Sequence, residues 1–148
     1  MASTAYSGTP LPRKLGLKDG MRVGFAGLPE ALATLKSAAA YARLDLAENW
    51  QALDAESYDF IQCYTASADE VAGAVPGLRD RLDADGMIWM SWPKKASRVP
   101  TDVTEDTIRD TALLHDLVDG KVCAVDAVWS GLKLVIRKEL RDRYRKNS

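Results

Sequence analysis

Residues 85–137 constrain the fold most. They hold an apolar stretch (Gly86-Met-Ile-Trp-Met-Ser-Trp92), a polar loop (Pro93-Lys94-Lys95-Ala-Ser97), a helical stretch opening at Asp102 or Thr104, and a closing apolar pair between Lys121 and Arg137. Unbroken apolarity from Met87 to Trp92 suits a strand covered on both faces. The loop then falls just past the carboxyl end of a central strand, where open α/β sheets bind their ligands. This pattern says where a site would lie and leaves the reaction open.

The same alternation runs upstream. Pro10, Pro12 and three glycines in residues 1–20 predict an arm with at most one helical turn near Arg13. Residues 21–26 read as a short apolar strand. Pro29 suits the first turn of a following helix, where its missing N–H is not needed. Leu32, Leu35 and Ala39 continue that helix at helical spacing. Residues 42–46 are a weak strand and residues 58–64 a clearer one. Ser67 and Glu70 fit a capping box, and Pro76-Gly77 predicts a split or kink in the helix they open. Asp85-Gly86 turns into the next strand. Residues 121–129 and 132–137 read as a hairpin joined at Ser130-Gly131. The expectation is a single small α/β domain over residues 21–137, with an N-terminal arm (1–20) and a charged tail (138–148). Its sheet is mostly parallel, flanked by helices, and ends in an antiparallel hairpin.

Composition narrows the function. A chain of 148 residues fits one domain, and a net charge of −1 gives no global attraction to nucleic acid or anionic membranes. No apolar run approaches a membrane span, and the first residues lack the features of a signal peptide. His115 is the only histidine, near a predicted helix end. With two isolated cysteines it leaves no zinc cluster and no ready nucleophile–base pair. Cys63 and Cys123 sit in apolar runs and read as buried, reduced thiols. These features fit a cytoplasmic protein with no metal site.

A parallel sheet that ends in an antiparallel hairpin resembles the methyltransferase variant of the doubly wound fold. The turn Leu17-Lys-Asp-Gly-Met-Arg-Val23 resembles the entry to the cofactor loop of those enzymes. The resemblance implies S-adenosylmethionine, approached through an acidic residue and a Gly-x-Gly loop. Here the loop is Gly24-Phe-Ala-Gly27-Leu-Pro-Glu30. Gly27 matches, Phe25 or Ala26 replaces the acid, and Leu28-Pro29 fill the loop. One strand and helix are missing after the second strand. An acid after that strand often holds a ribose in such folds, which makes Asp45 and Glu48 candidates and leaves a solvated acid as the alternative. The departures argue against S-adenosylmethionine. A second resemblance covers nearly the whole chain. Tyr6-Ser-Gly-Thr-Pro-Leu11 with Lys14-Leu-Gly16, Trp92-Pro-Lys-Lys-Ala-Ser97, Thr101-Asp-Val-Thr-Glu-Asp106, and Val122-Cys-Ala-Val-Asp126 with Trp129-Ser-Gly-Leu132 resemble the small bacterial family called domain of unknown function 3052. It implies a reduced Rossmann-like fold and names no substrate.

The candidate residues carry alternatives. Lys94 and Lys95, helped by Ser97 and Thr101, would hold a phosphate or carboxylate at a helix N-terminus; otherwise they form a solvated loop that caps the next helix. Trp92 and Trp129 would stack a purine or pack into the core. Asp126 would pair with a lysine or a backbone N–H, or face a pocket. The Tyr6-Ser-Gly-Thr-Pro arm would close over the ligand edge or cover an exposed one. The Lys/Arg-rich tail invites nucleic acid but lacks aromatic platforms and reads better as a solvated helix. The missing Gly-x-Gly favours a small-molecule-binding, regulatory or protein-interaction module over an enzyme. The alternative is a methyltransferase with an atypical cofactor loop, bound through Gly27 and Glu48. No catalytic residue is identified.

Overall fold

The computed structural model describes residues 9–54 and 57–145. Six strands form one sheet: β1 Arg22–Ala26, β2 Arg43–Ala47, β3 Tyr58–Tyr64, β4 Leu82–Pro93, β5 Leu117–Ala124 and β6 Trp129–Ile136, in the order β2-β1-β3-β4-β6-β5. The first four run parallel. β6 is antiparallel to both β4 and β5. Helices α2 (Ala68–Arg81) and α3 (Glu105–Leu114) cover one face through Val71, Val75, Leu78 and Ile108, packed with Ile61, Ile88 and Leu134. On the other face α1 (Leu11–Leu15) and a 3-10 helix (Glu30–Ser37) bury Leu15, Leu32 and Leu35 against Phe25, Phe60 and Trp89. Burial on both faces explains the near-continuous apolarity of β3 and of β4 from Met87 onward. The α/β expectation, with its mostly parallel sheet and terminal hairpin, therefore holds.

Several local expectations change. The element after β1 is a 3-10 helix, broken at Leu32 (φ −111°, ψ 18°), with Pro29 at its N-cap. Helix α2 runs through Pro76 without interruption. Proline removes one backbone hydrogen bond there, and the buried row Val71, Ala74, Val75, Leu78 holds the helix together. Gly77 serves packing, since a Cβ there would stand 2.1 Å from the Trp50 ring. Asp85 and Gly86 lie inside β4, where its register against β3 shifts between Tyr58 and Phe60. Ser67 accepts from the Glu70 amide at 3.2 Å, but the Glu70 carboxylate accepts from the Thr65 hydroxyl, so only half of the expected capping box forms. Thr104 alone caps α3, in a reciprocal box with Thr107.

The hairpin turns earlier than Ser130-Gly131. The Asp126 carboxylate accepts from the Val128 and Trp129 amides at 2.9 and 2.8 Å and so builds the turn. Ser130 and Gly131 pair with β4 and β5 inside β6. Gly131 is small because the Trp89 ring lies over it, 3.1 Å from where a Cβ would be. The tail is docked up to Arg145. Leu140 and Tyr144 pack on the α2/α3 face, the Tyr144 hydroxyl donates to Asp116, and Arg145 pairs with Asp85 at 2.9 Å. The Tyr6-Ser-Gly-Thr-Pro arm lies mostly outside the described residues. Both cysteines are free thiols: Cys63 is buried, while Cys123 is half-exposed, short of the burial expected for it. Burial pushes the Cys63 thiol up to about 12. Among the described residues no helix is long and apolar enough to cross a membrane.

Candidate functional site at the carboxyl edge of the sheet

The chain leaves β1 towards β2 on one side and β3 towards β4 on the other. The carboxyl ends of β1 and β3 therefore flank a topological switch point, the place where such sheets bind ligands. Gly27 follows β1 in the left-handed region (φ +73°), and a Cβ on it would stand 3.2 Å from the Tyr64 carbonyl and 3.6 Å from the Glu48 carbonyl. Its amide donates to Ala47 at 2.9 Å. Glycine thus lets the ends of three strands converge.

Beside this junction a cleft of about 320 Å³ opens between the ends of β1 and β2 and the 3-10 helix. That lies within the range of small-ligand sites, about 300–1,000 Å³. Phe25, Leu28 and Leu46 form its apolar wall, with Glu48, Glu30 and Lys36 at the rim. Leu46 is 52% exposed, a large apolar surface left at the mouth of the cleft. The Glu48 carboxylate has no hydrogen bond or ion pair among the described residues. Asp45, the other acid near this end, is taken: it accepts from the Tyr58 hydroxyl at 2.5 Å and pairs with Arg43 at 2.8 Å. The structure thus brings Gly27 and Glu48 to one cleft and leaves Asp45 on the opposite side of β2.

The loop after β4 divides the remaining candidates. Trp92, Lys95 and Thr101 line a second cavity of about 480 Å³, together with Arg98, Asp102 and Glu105. Lys94 and Ser97 do not line it. The Ser97 hydroxyl donates to the Lys94 carbonyl at 2.6 Å and accepts from the Val99 amide. Thr101 donates to the Ala66 carbonyl at 2.8 Å and accepts from the Val103 amide. Both hydroxyls hold the loop in shape. Asp102 accepts from the Ala68 amide at 2.7 Å and so serves α2, not the helix that follows it. Arg98, which the motif reading passed over, stands at φ +63° in this cavity, and its guanidinium has no partner among the described residues. Trp92 packs on the α2/α3 face and Trp129 on the opposite one, edge-on to Tyr64 with ring centroids 5.1 Å apart. Adjacent register positions point to opposite faces, so the two tryptophans share no aromatic wall. His115 is the C-cap of α3, as its position near a helix end implied.

The fold is similar to that of known methyltransferases. The magnesium protoporphyrin IX methyltransferase (ChlM) of Synechocystis PCC 6803, solved with bound SAM, superposes with a TM-score of 0.62 at 16% identity, over 85% of this chain and 74% of that one. The ribosomal protein L11 methylase of Lactobacillus delbrueckii subsp. bulgaricus gives 0.53 at 12% identity, over 86% of this chain and 74% of that one. At such identities the likeness is one of fold. No family model matches the chain, and no curated protein matches it.

Proposed function

We propose that this protein binds S-adenosylmethionine in the cleft at the ends of β1 and β2 and is a methyltransferase of reduced build. One observation carries the reading: Glu48, a carboxylate without a partner among the described residues, directly follows β2 in a sheet ordered β2-β1-β3-β4-β6-β5. In doubly wound sheets an acid near that position binds the ribose hydroxyls. Glu48 would accept hydrogen bonds from the two adjacent hydroxyls, and bonds to a charged acceptor are the strong ones. Leu28 and Leu46 supply an apolar surface for the adenine, and Gly27 keeps the β1 end clear of side chain where the rest of the ligand would approach. A sulfonium cofactor brings an already activated methyl group. The protein's share is then chiefly alignment of an acceptor, which fits a chain whose one histidine, His115, caps a helix. The four ordered motifs support placing the chain with domain of unknown function 3052, and the same reading would extend to that family. Leu28 and Pro29, where such enzymes keep a second glycine, favour a second reading in which the cleft holds the adenosyl ligand without turnover, as a regulatory module.

Calorimetric titration with S-adenosylmethionine and S-adenosylhomocysteine tests the site. Both are expected to bind. Glu48→Gln keeps the shape but loses the charge, and it is expected to weaken both by about tenfold or more, since a hydrogen bond to a charged group contributes about 1.5–3 kcal/mol. Wild-type affinity in this variant would remove Glu48 from the site.

A further inference from the structure

A third cavity, separate from the cleft, lies between α1 and the β5–β6 hairpin. It holds about 490 Å³, and Arg13, Lys14, Lys121 and Cys123 line it beside Trp89. The groups stand on firm supports. Trp89 is fully buried, and its indole N–H donates to the Leu15 carbonyl at 2.9 Å, which fixes α1 on the sheet. Arg13 and Lys14 occupy the last turn of that helix, and Lys121 lies in β5. Lys133 stands opposite Trp89 in the β4–β6 register and adds a cation to the same face.

Among the described residues no acid lines the cavity. Asp119 is held by Arg109 at 3.0 Å, and Asp126 is occupied by the hairpin turn. Arg13, Lys14 and Lys121 have no hydrogen bond or ion pair among the described residues. Elsewhere Arg22, Arg79, Arg109 and Arg145 pair with acids, and Arg98, which does not, shares its cavity with Asp102 and Glu105. A group of unpaired cations around one cavity is self-repelling. A bound anion would relieve that repulsion. We propose that this cavity binds a phosphorylated small molecule through Arg13, Lys14 and Lys121.

Cys123 provides a built-in reporter. Burial raises its thiol pKa, and Lys14, Lys121 and Lys94 draw it back down. An anion that neutralises the lysines removes that help and also blocks the thiol, so alkylation slows because only the thiolate reacts. Cys63, buried and held at about 12, stays silent. The experiment follows iodoacetamide labelling of Cys123 in the full chain during titration with pyrophosphate or tripolyphosphate at constant ionic strength. The expected result is saturable protection of about fivefold or more. Arg13→Gln with Lys121→Gln, both exposed positions, is expected to abolish it, and Lys121→Gln alone to weaken it. Protection no greater than that given by sodium chloride at the same ionic strength, or equal protection in the variants, would overturn the proposal. No adenosyl ligand is present, so the outcome is independent of the cleft.

Discussion

Trp89→Ala is expected to lower the unfolding free energy by about 3–5 kcal/mol, as for other large aromatic truncations in cores. Trp89 is fully buried in the layer that joins the sheet to α1, next to Leu15, Phe60 and Val125. Its ring fills the space left by Gly131, so truncation opens a cavity that the β6 backbone cannot collapse into. The Leu15 carbonyl also loses its indole donor. Trp89→Phe restores most of the ring but not the N–H, and it is expected to lie between the two. Urea denaturation followed by circular dichroism measures all three proteins. A loss below about 1 kcal/mol for Trp89→Ala would place it among ordinary surface changes and contradict this packing.

Gly27→Val is expected to cost about 2–5 kcal/mol and to abolish adenosyl-ligand binding. Part of the cost is conformational: a residue with a Cβ in the left-handed region costs about 1–2 kcal/mol, and a β-branched one is a true outlier there. The rest is crowding, about 1–3 kcal/mol for overpacking, because the Cβ approaches the Tyr64 carbonyl to 3.2 Å. Relief requires the ends of β1, β2 and β3 to move apart, which displaces Glu48. Denaturation reports the first effect and calorimetry the second. A Gly27→Val protein that folds and binds as the wild type does would show that the junction does not shape the cleft.

The sequence carried the layers better than the turns. β3 and the second half of β4, from Met87 to Trp92, were legible because burial on both faces makes them apolar at nearly every position, whereas the first half of β4, Leu82 to Gly86, carries two aspartates and a glycine and reads as a turn. The cap of α3 was legible down to Asp102 or Thr104 because capping chemistry is local; the choice of Thr104 was not, since Asp102 turns to the Ala68 amide across the loop. Ser130-Gly131 misled because a small dipeptide between apolar runs has the composition of a turn, whereas Gly131 answers to a ring on another strand. Pro76-Gly77 misled for the same reason, its glycine facing Trp50. At the site, an acid following β2 was visible as a pattern. The choice of Glu48 over Asp45 depends on Arg43 and Tyr58, whose contacts only the folded chain reveals. The basic cavity joins residues from both ends of the chain, and no local motif marks it.

Whether an adenosyl ligand occupies the β1–β2 cleft is decided by amide chemical-shift mapping of the wild-type protein during titration with S-adenosylhomocysteine. Saturable shifts are expected, concentrated at residues 27–30 and 46–48, with smaller changes at Tyr64 and Thr65 across the junction. An unchanged spectrum at millimolar ligand, or shifts centred on another part of the sheet, would contradict occupancy of the cleft.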